Sequence, residues 1–334
     1  MIERHIDHQD QLFPRRGVGV SRRRLLIAAT IGLLAVPIFG STLTILLATE
    51  MIVFVVAFSG LHILSGRLGL ISVGHGAFIG IGALAAAHGI DDLSIPYLLA
   101  PLLGAVGAAA VGLVIGVPSL RLPGTYLALL TLAVAMVLPI TLRWIDGPLG
   151  YRVDGNIGAP AWTGMSADRD DTWQYLLVLI GGAAIMVAVQ RATRGRFTRA
   201  MLAVRDEPTA AAAFGIDVRR THLTGVALSA GLAGAAGGLS LYATPFVSGD
   251  QYPFSLSVAM FALMLAIGAS HLWTSIPAAI ILVALPEILT RSGRSIWEPI
   301  VYAAVLLVMT RLSRGRGLLS LWPTRGSKGR PAGI

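Results

Sequence analysis

Residues 69–87, GLISVGHGAFIGIGALAAA, decide the fold class of this chain. The stretch is apolar enough for a membrane, yet it carries Ser72 and His75. Glycine, one of the poorest helix formers, also recurs along it. An ionisable side chain inside a membrane is costly and suggests a function. His75 therefore either serves a solute path or is a neutral imidazole bonded to a backbone carbonyl.

The composition indicates an all-α polytopic membrane protein. The 334 residues are 55% hydrophobic and 13% charged, whereas a soluble domain averages about 25% charged residues. The mean hydropathy is +0.75. There is no cysteine, which excludes disulfides, thiol catalysis and cysteine-ligated metals.

Positive charge predicts the orientation. The net charge is +9, and most lysines and arginines lie in the N-tail (1–24), one loop (191–221) and the C-tail (313–334). Basic residues concentrate on the cytoplasmic side of short loops, so we expect all three segments there. This surface suits anionic lipid head groups better than nucleic acid.

Apolar runs predict ten transmembrane helices in a permease domain covering residues 25–312. An even number puts both termini in the cytoplasm and the aspartate-rich loop 144–172 outside. Five spans on each side of that loop suggest an inverted five-helix repeat, a common plan for transporters. The predicted spans are 25–40, 42–65, 69–89, 95–117, 122–143, 173–190, 222–243, 253–270, 272–290 and 296–311.

Small residues form helical stripes in two of these spans. They indicate close helix packing, or else a solute path or a helix break. If the third span is helical throughout, Ser72 and His75 share a face beside its stripe. The stripes are Gly76, Gly80, Ala83 and Ala87 in the third span, and Gly231, Gly234 and Gly238 in the seventh.

Two membrane-embedded carboxylates raise the same question as His75. Glu50 lies in the second span and Glu287 in the ninth. Each either pairs with a basic group or faces water.

Sequence motifs for catalysis are missing. There is no phosphate-binding G-x-x-x-x-G-K-[ST], no H-E-x-x-H and no G-x-S-x-G. We therefore expect a transport protein rather than an enzyme, with no cofactor of its own. Active transport would then draw on an ion gradient or on a partner that uses ATP.

The loop 191–221 predicts a helix, a break and a second helix. Phe197, Met201 and Val204 share one face of the first helix. Asp206 or Glu207 caps the second, in which Pro208 takes the first position, and Gly215 ends it. The pair either rests on lipid head groups or docks a cytoplasmic partner.

Four blocks of the sequence resemble the permease subunits of ABC importers for branched-chain amino acids, the LivM type. The loop block is the most specific, and the resemblance extends from about residue 25 to residue 312. The blocks are GRLGLISVGHGAFIGIGALAAA (66–87), LRLPGTYLALLTLAVA (120–135), RGRFTRAMLAVRDEPTAAAAFGIDV (194–218) and LSAGLAGAAGGL (228–239), the last followed by residues 262–289.

The resemblance implies a type II importer permease in a bacterial plasma (inner) membrane. Its partners would be ATP-binding subunits, a second and homologous permease, and an extracytoplasmic solute-binding protein. The loop would receive the ATPase through Arg199, Ala203, Arg205, Asp206, Glu207, Ala210, Ala211 and Gly215. Candidates for the substrate path are Ser72, Gly74, His75, Gly76, Tyr126 and Thr131.

The sequence also departs from the family pattern. Arg67 stands where glutamine is usual, and His271 and Trp273 replace a turn of small residues. These changes leave urea or short amides as alternative substrates. A channel or secondary transporter that works without an ATPase is the alternative function.

The predicted orientation can be tested with single cysteines, because the chain has none. Ser166→Cys should react with a membrane-impermeant thiol reagent in intact cells, and Ser313→Cys should react only after lysis. The reverse pattern would invert the topology.

Overall fold

The computed structural model describes residues 36–37, 40–120, 125–147, 149–154, 158, 170–269, 271–293, 297, 300–301, 304 and 307. The chain divides into two compact units, Met1–Ser41 and Thr42–Ile334. In the first unit, the described backbone includes a hydrogen bond from the Gly40 N–H to the Val36 carbonyl.

In the described part of the second unit, the regular elements are helices and one short strand pair, β1 with β2. These strands pair antiparallel, Tyr151 opposite Val247 and Arg152 opposite Phe246. The helices are α1 (Thr42–Leu61), α2 (His75–Asp91), α3 (Ala100–Ser119), α4 (Thr125–Asp146), α5 (Asp170–Ala192), α6 (Arg196–Asp206), α7 (Pro208–Ala213), α8 (Val218–Ala243), α9 (Phe254–Ile267) and α10 (Ser275–Arg291), and the strands are β1 (Tyr151–Arg152) and β2 (Phe246–Val247). A π-helical turn (His62–Arg67) follows α1, and single 3₁₀ turns (Tyr97–Leu99, Gly249–Gln251 and Leu272–Thr274) precede α3, α9 and α10.

Seven helical segments of the described chain are long and apolar enough to cross a membrane. They match the predicted spans near 42–65, 95–117, 122–143, 173–190, 222–243, 253–270 and 272–290. The chain is therefore a polytopic membrane protein. The spans predicted at 25–40 and 296–311 lie almost wholly outside the described residues. The predicted loop 144–172 is shorter than expected, because α4 continues to Asp146 and α5 begins at Asp170.

The third predicted span is not helical at its start. Its helix, α2, has 17 residues and begins only at His75. Residues 68–74 are not helical, and Gly69 has a φ of +71°, which glycine adopts without strain. The prediction that Ser72 and His75 share a helical face is therefore wrong, since Ser72 precedes the helix.

Three glycines bring α2, α3 and α8 into backbone contact. A Cβ on Gly82 would overlap the Cα of Gly234, and a Cβ on Gly104 would overlap the carbonyl oxygen of Gly234. Real Cβ atoms essentially never come within 3.0 Å of another atom, so any side chain here would force the helices apart. We call this meeting of Gly82, Gly104 and Gly234 the glycine contact.

Both predicted small-residue stripes pack closely, but against different neighbours. Gly234 and Gly238 of α8 face α3, as close packing requires. On α2, Gly76 faces Ser257 of α9, and Gly80 faces Leu138 of α4 and Tyr252. The side of α2 that meets α8 carries Gly82, and Ala83 of the predicted stripe lies there too, against Gly237.

An apolar cluster lies between the loop helices and the membrane helices. Met201 and Val204 of α6 and Ala211 of α7 are buried there. They pack with Leu68 of the interrupted segment and Val226 of α8. The loop is thus attached to the membrane helices through its apolar face.

The glycine contact predicts intolerance of a single added methyl group. Gly104→Ala and Gly234→Ala should each lower the free energy of unfolding in mixed detergent micelles by about 1–3 kcal/mol, since overpacking costs that much. Gly116→Ala, also on α3, is the control, because its Cβ would meet side-chain atoms rather than backbone, those of Leu223 at 3.3 Å and Val226 at 3.4 Å. Equal stability of all three variants would contradict the contact.

Candidate functional site

Local hydrogen bonds pair several backbone groups of the segment between α1 and α2. The Leu68 N–H donates to the Ile63 carbonyl over 3.3 Å, and the Leu70 N–H to the Leu64 carbonyl over 3.1 Å. The Ser65 hydroxyl donates to the Leu70 carbonyl. Non-helical backbone at membrane depth is tolerated where protein buries it. We call residues 62–74 the break.

The predicted path residues Ser72, Gly74 and Thr131 meet at the end of the break. The Thr131 hydroxyl accepts the Val73 N–H over 3.1 Å. A Cβ on Gly74 would overlap the Thr131 carbonyl oxygen, so α4 lies directly against the chain here. Ser72 and Thr131 are buried.

His75 is the first residue of α2 and is 1% exposed. Its Nε2 lies 3.1 Å from the Ala57 carbonyl of α1, so a neutral imidazole with hydrogen on Nε2 donates across the break. Of the two roles considered for His75, this geometry matches the neutral imidazole bonded to a backbone carbonyl. Gly76 packs on Ser257, and Tyr126 lies in α4. As residues of a substrate path, all six remain a prediction.

A cavity of about 840 Å³ opens between α1, α9 and α10. Apolar side chains form most of its wall, and Glu50 of α1 and Glu287 of α10 line it. Among the described residues, Ser72, His75 and Thr131 are not part of the lining. The break lies between α1, which lines the cavity, and α2, which takes part in the glycine contact.

The loop forms two helices separated by a short interruption, as predicted. Glu207 is the N-cap of α7 and Pro208 its first residue, although the Glu207 side chain makes no capping hydrogen bond. Gly215 ends the helix with a φ of +81°. The Gly215 N–H donates to the Ala212 carbonyl and the Ile216 N–H to the Ala211 carbonyl, a Schellman motif. We call α6 and α7 with Gly215 the loop module.

The predicted coupling residues fall on two faces of the loop module. Ala211 is buried and Ala203 is half-buried against the membrane helices. The others are exposed, namely Arg199, Arg205, Asp206, Glu207, Ala210 and Gly215.

Two arginines join the loop module to the break. Nη1 of Arg67 donates to the Thr193 carbonyl and to the Thr198 hydroxyl, both over 2.8 Å. Nη1 of Arg205 donates to the Gly66 carbonyl over 2.8 Å. Hydrogen bonds from charged donors are about twice as strong as neutral ones. Arg67, which departs from the family pattern, thus forms a contact between the break and the loop module.

Sequence reasoning missed the most exposed aromatic side chain of the loop module. Phe214 follows α7 and is 88% exposed. The sequence also did not reveal that Glu50 and Glu287 face one cavity, because that surface forms only when helices far apart in the sequence pack together.

A polar network holds the far end of α2 to α4 and β1. His88 bridges Asp92 and Asp146 at 3.0 Å each. The Tyr151 hydroxyl donates to Asp91 over 2.7 Å. That hydrogen bond, and then burial, raises the pKa of Tyr151 above its ordinary value. Within the described residues there is no group of three or more metal-ligating side chains.

Comparisons with known proteins agree with this architecture. A model of the family described as "Branched-chain amino acid transport system / permease component" matches residues 43–310. The chain is 27% identical over 331 residues to the high-affinity branched-chain amino acid transport system permease protein LivM of Escherichia coli (strain K12), with 91% of this chain and 76% of that protein covered. The LivM protein of Salmonella typhimurium (strain LT2) is also 27% identical over 336 residues, with the same coverage. No solved structure matches the chain.

Proposed function

The chain belongs to the branched-chain amino acid transport permease family, and on that premise we propose that it is the permease subunit of an ABC importer. It forms part of the path for branched-chain amino acids, as the names of its relatives suggest. A separate ATPase drives transport, and this chain binds no cofactor. The observation that carries the proposal is the loop module, which joins an exposed surface to the break.

We further propose ten spans in two inverted halves, with both termini in the cytoplasm of a bacterial inner membrane. The seven apolar helices and α2 supply the described part of that arrangement. The partners would be two ATP-binding subunits, a homologous second permease and an extracytoplasmic solute-binding protein. Lipid surrounds the complex, and nucleic acid is not a partner.

The exposed face of the loop module suits a docking role. Phe214 presents a large apolar surface on a module whose charged residues Asp206 and Glu207 are also exposed. Aromatic side chains ringed by polar ones often dominate the binding energy of an interface. A helix pair resting on lipid would instead bury its apolar face in the head groups. Here that face, with Met201 and Val204, is already buried against the protein.

Motion of the loop module would reach the cavity through the break. Arg67 and Arg205 fasten the module to residues 66 and 67. These residues end the π-helical turn after α1, and α1 lines the cavity. Helices α2, α3 and α8 are held together by the glycine contact. A push on the loop would therefore tilt α1 against a rigid neighbour and change access to the cavity.

The alternative function, a transporter or channel without an ATPase, is separated from this proposal by purification of the tagged protein. A nucleotide-binding chain in stoichiometric amounts supports the importer. Recovery of this chain alone, still able to transport leucine in liposomes, supports the alternative.

Phe214→Ser should weaken binding of the ATPase about tenfold, the loss expected when a central aromatic is removed. The stability of the permease itself should not change, because the side chain is exposed. Trp144→Ser is the matched control, since Trp144 is an equally exposed aromatic on α4. Binding is measured by co-purification at several ATPase concentrations. Equal retention by both variants would remove Phe214 from the docking surface.

Arg67→Ala should separate ATP hydrolysis from transport. The ATPase should still bind and hydrolyse ATP, while the amino acid taken up per ATP in proteoliposomes falls about tenfold, since hydrogen bonds to a charged group contribute about 1.5–3 kcal/mol. Arg194→Ala is the control, because Arg194 is exposed on the same loop and is not fastened to the break. Uptake per ATP equal to that control would show that the break is not part of the coupling route.

A further inference from the structure

The cavity between α1, α9 and α10 carries an excess of negative charge. Its acidic lining residues are Glu50, Asp250 and Glu287. Asp250 pairs with Arg143, and Oε1 of Glu287 accepts from Nε of Arg291 over 2.6 Å. Glu50 has no ion pair with any residue that the structure describes. Its carboxylate is the unbalanced charge among the lining residues that are described.

Glu50 also lies deep in the membrane-spanning part of α1. At a rise of about 1.5 Å per residue, it is about 12 Å along the helix from Thr42. Its side chain is exposed on the isolated chain and faces the cavity. A charged side chain facing lipid at such depth is strongly disfavoured and is found in water-filled cavities or facing a partner. The cavity is therefore a surface that faces water or a partner subunit rather than lipid.

The remaining wall of the cavity is apolar. Val53 and Phe54 of α1 face Ala259 of α9 and Leu282 of α10 across it. Glu287 lines the same cavity but is paired with Arg291, so Glu50 supplies the uncompensated negative charge of this region. A negative region beside an apolar wall is complementary to a small solute with an ammonium group and a short hydrocarbon side chain.

We propose that Glu50 forms a subsite for the ammonium group of the transported solute, with the apolar wall receiving its side chain. This inference rests on the proposed function and deepens it. Urea and short amides carry no positive charge, so Glu50 distinguishes the amino acid substrate from these alternatives. Glu50 acts by electrostatic attraction, while Arg291 offsets the charge of Glu287.

A cysteine beside Glu50 can report this field. Leu47 lines the same cavity three residues earlier on α1, so the two side chains are neighbours. The Leu47→Cys variant of the complete transporter, in native membranes, is modified with the cationic reagent 2-(trimethylammonium)ethyl methanethiosulfonate and with the anionic 2-sulfonatoethyl methanethiosulfonate. Each rate is divided by the rate with a free thiol in solution.

The cationic reagent should then react several-fold faster than the anionic one. Glu50→Gln should remove most of this preference, and Glu50→Asp should retain it. Thr209→Cys on α7 is the control, since its ratio should not respond to Glu50→Gln. In addition, 3-methylbutylamine should slow modification of Leu47→Cys, and 4-methylpentanoate, which lacks the amine, should not.

Three results would overturn the subsite. They are a charge preference that Glu50→Gln leaves unchanged, no modification by either reagent, and equal protection by the amine and the carboxylate. ATP-driven leucine uptake is measured in the same membranes to separate the two claims. Uptake without a charge preference rejects the subsite and leaves the proposed function standing. A Glu50-dependent preference without uptake supports the subsite and rejects leucine as the substrate.

Discussion

The backbone contact among α2, α3 and α8 at the glycine contact is the constraint on which the rest of the second unit depends. Lipid provides little hydrophobic drive between helices, so their association rests on close packing. At Gly82, Gly104 and Gly234 the packing is so close that no side chain fits. These three helices therefore form one rigid group, and the elements that line the cavity are arranged around it.

The break connects that rigid group to α1 without a continuous helix. It joins α1, which contributes five described residues to the cavity lining, to α2, which belongs to the rigid group and contributes only Ile79. A continuous helix would carry both together. The π-helical turn, the positive φ at Gly69 and the Thr131 hydroxyl that accepts the Val73 N–H instead permit a change of direction at membrane depth. The loop module is fastened where this change begins, so docking, the break and the cavity lie in one chain of contacts.

Local rules predicted the parts of the structure that local chemistry determines. Pro208 and Gly215 marked the start and end of α7, and the apolar face of α6 followed from the spacing of Met201 and Val204. Seven spans followed from hydropathy alone. The faces of Gly234 and Gly238 followed from their four-residue spacing, because small residues at that interval let a second backbone approach.

The remaining features arise between distant segments, and no local pattern contains them. The break depends on Thr131, which is far from Val73 in the sequence, so residues 69–74 looked like the start of a helix. Glu50 and Glu287 looked like separate buried acids, because only the packing of α1 on α10 brings them to one cavity. His75 was ambiguous for the same reason, since its acceptor at Ala57 lies across the break.

The most direct test of the account is whether the loop module and the rigid group move relative to each other when ATP binds. The chain has no cysteine, so pairs of spin labels can be placed at will. One pair, at Val114 of α3 and Thr224 of α8, lies within the rigid group. A second, at Val114 and Arg196, connects that group to α6. Pulsed electron spin resonance distances in the complete complex should stay constant for the first pair and shift for the second on addition of ATP and vanadate. A constant second distance, or a shift in the first, would contradict the account.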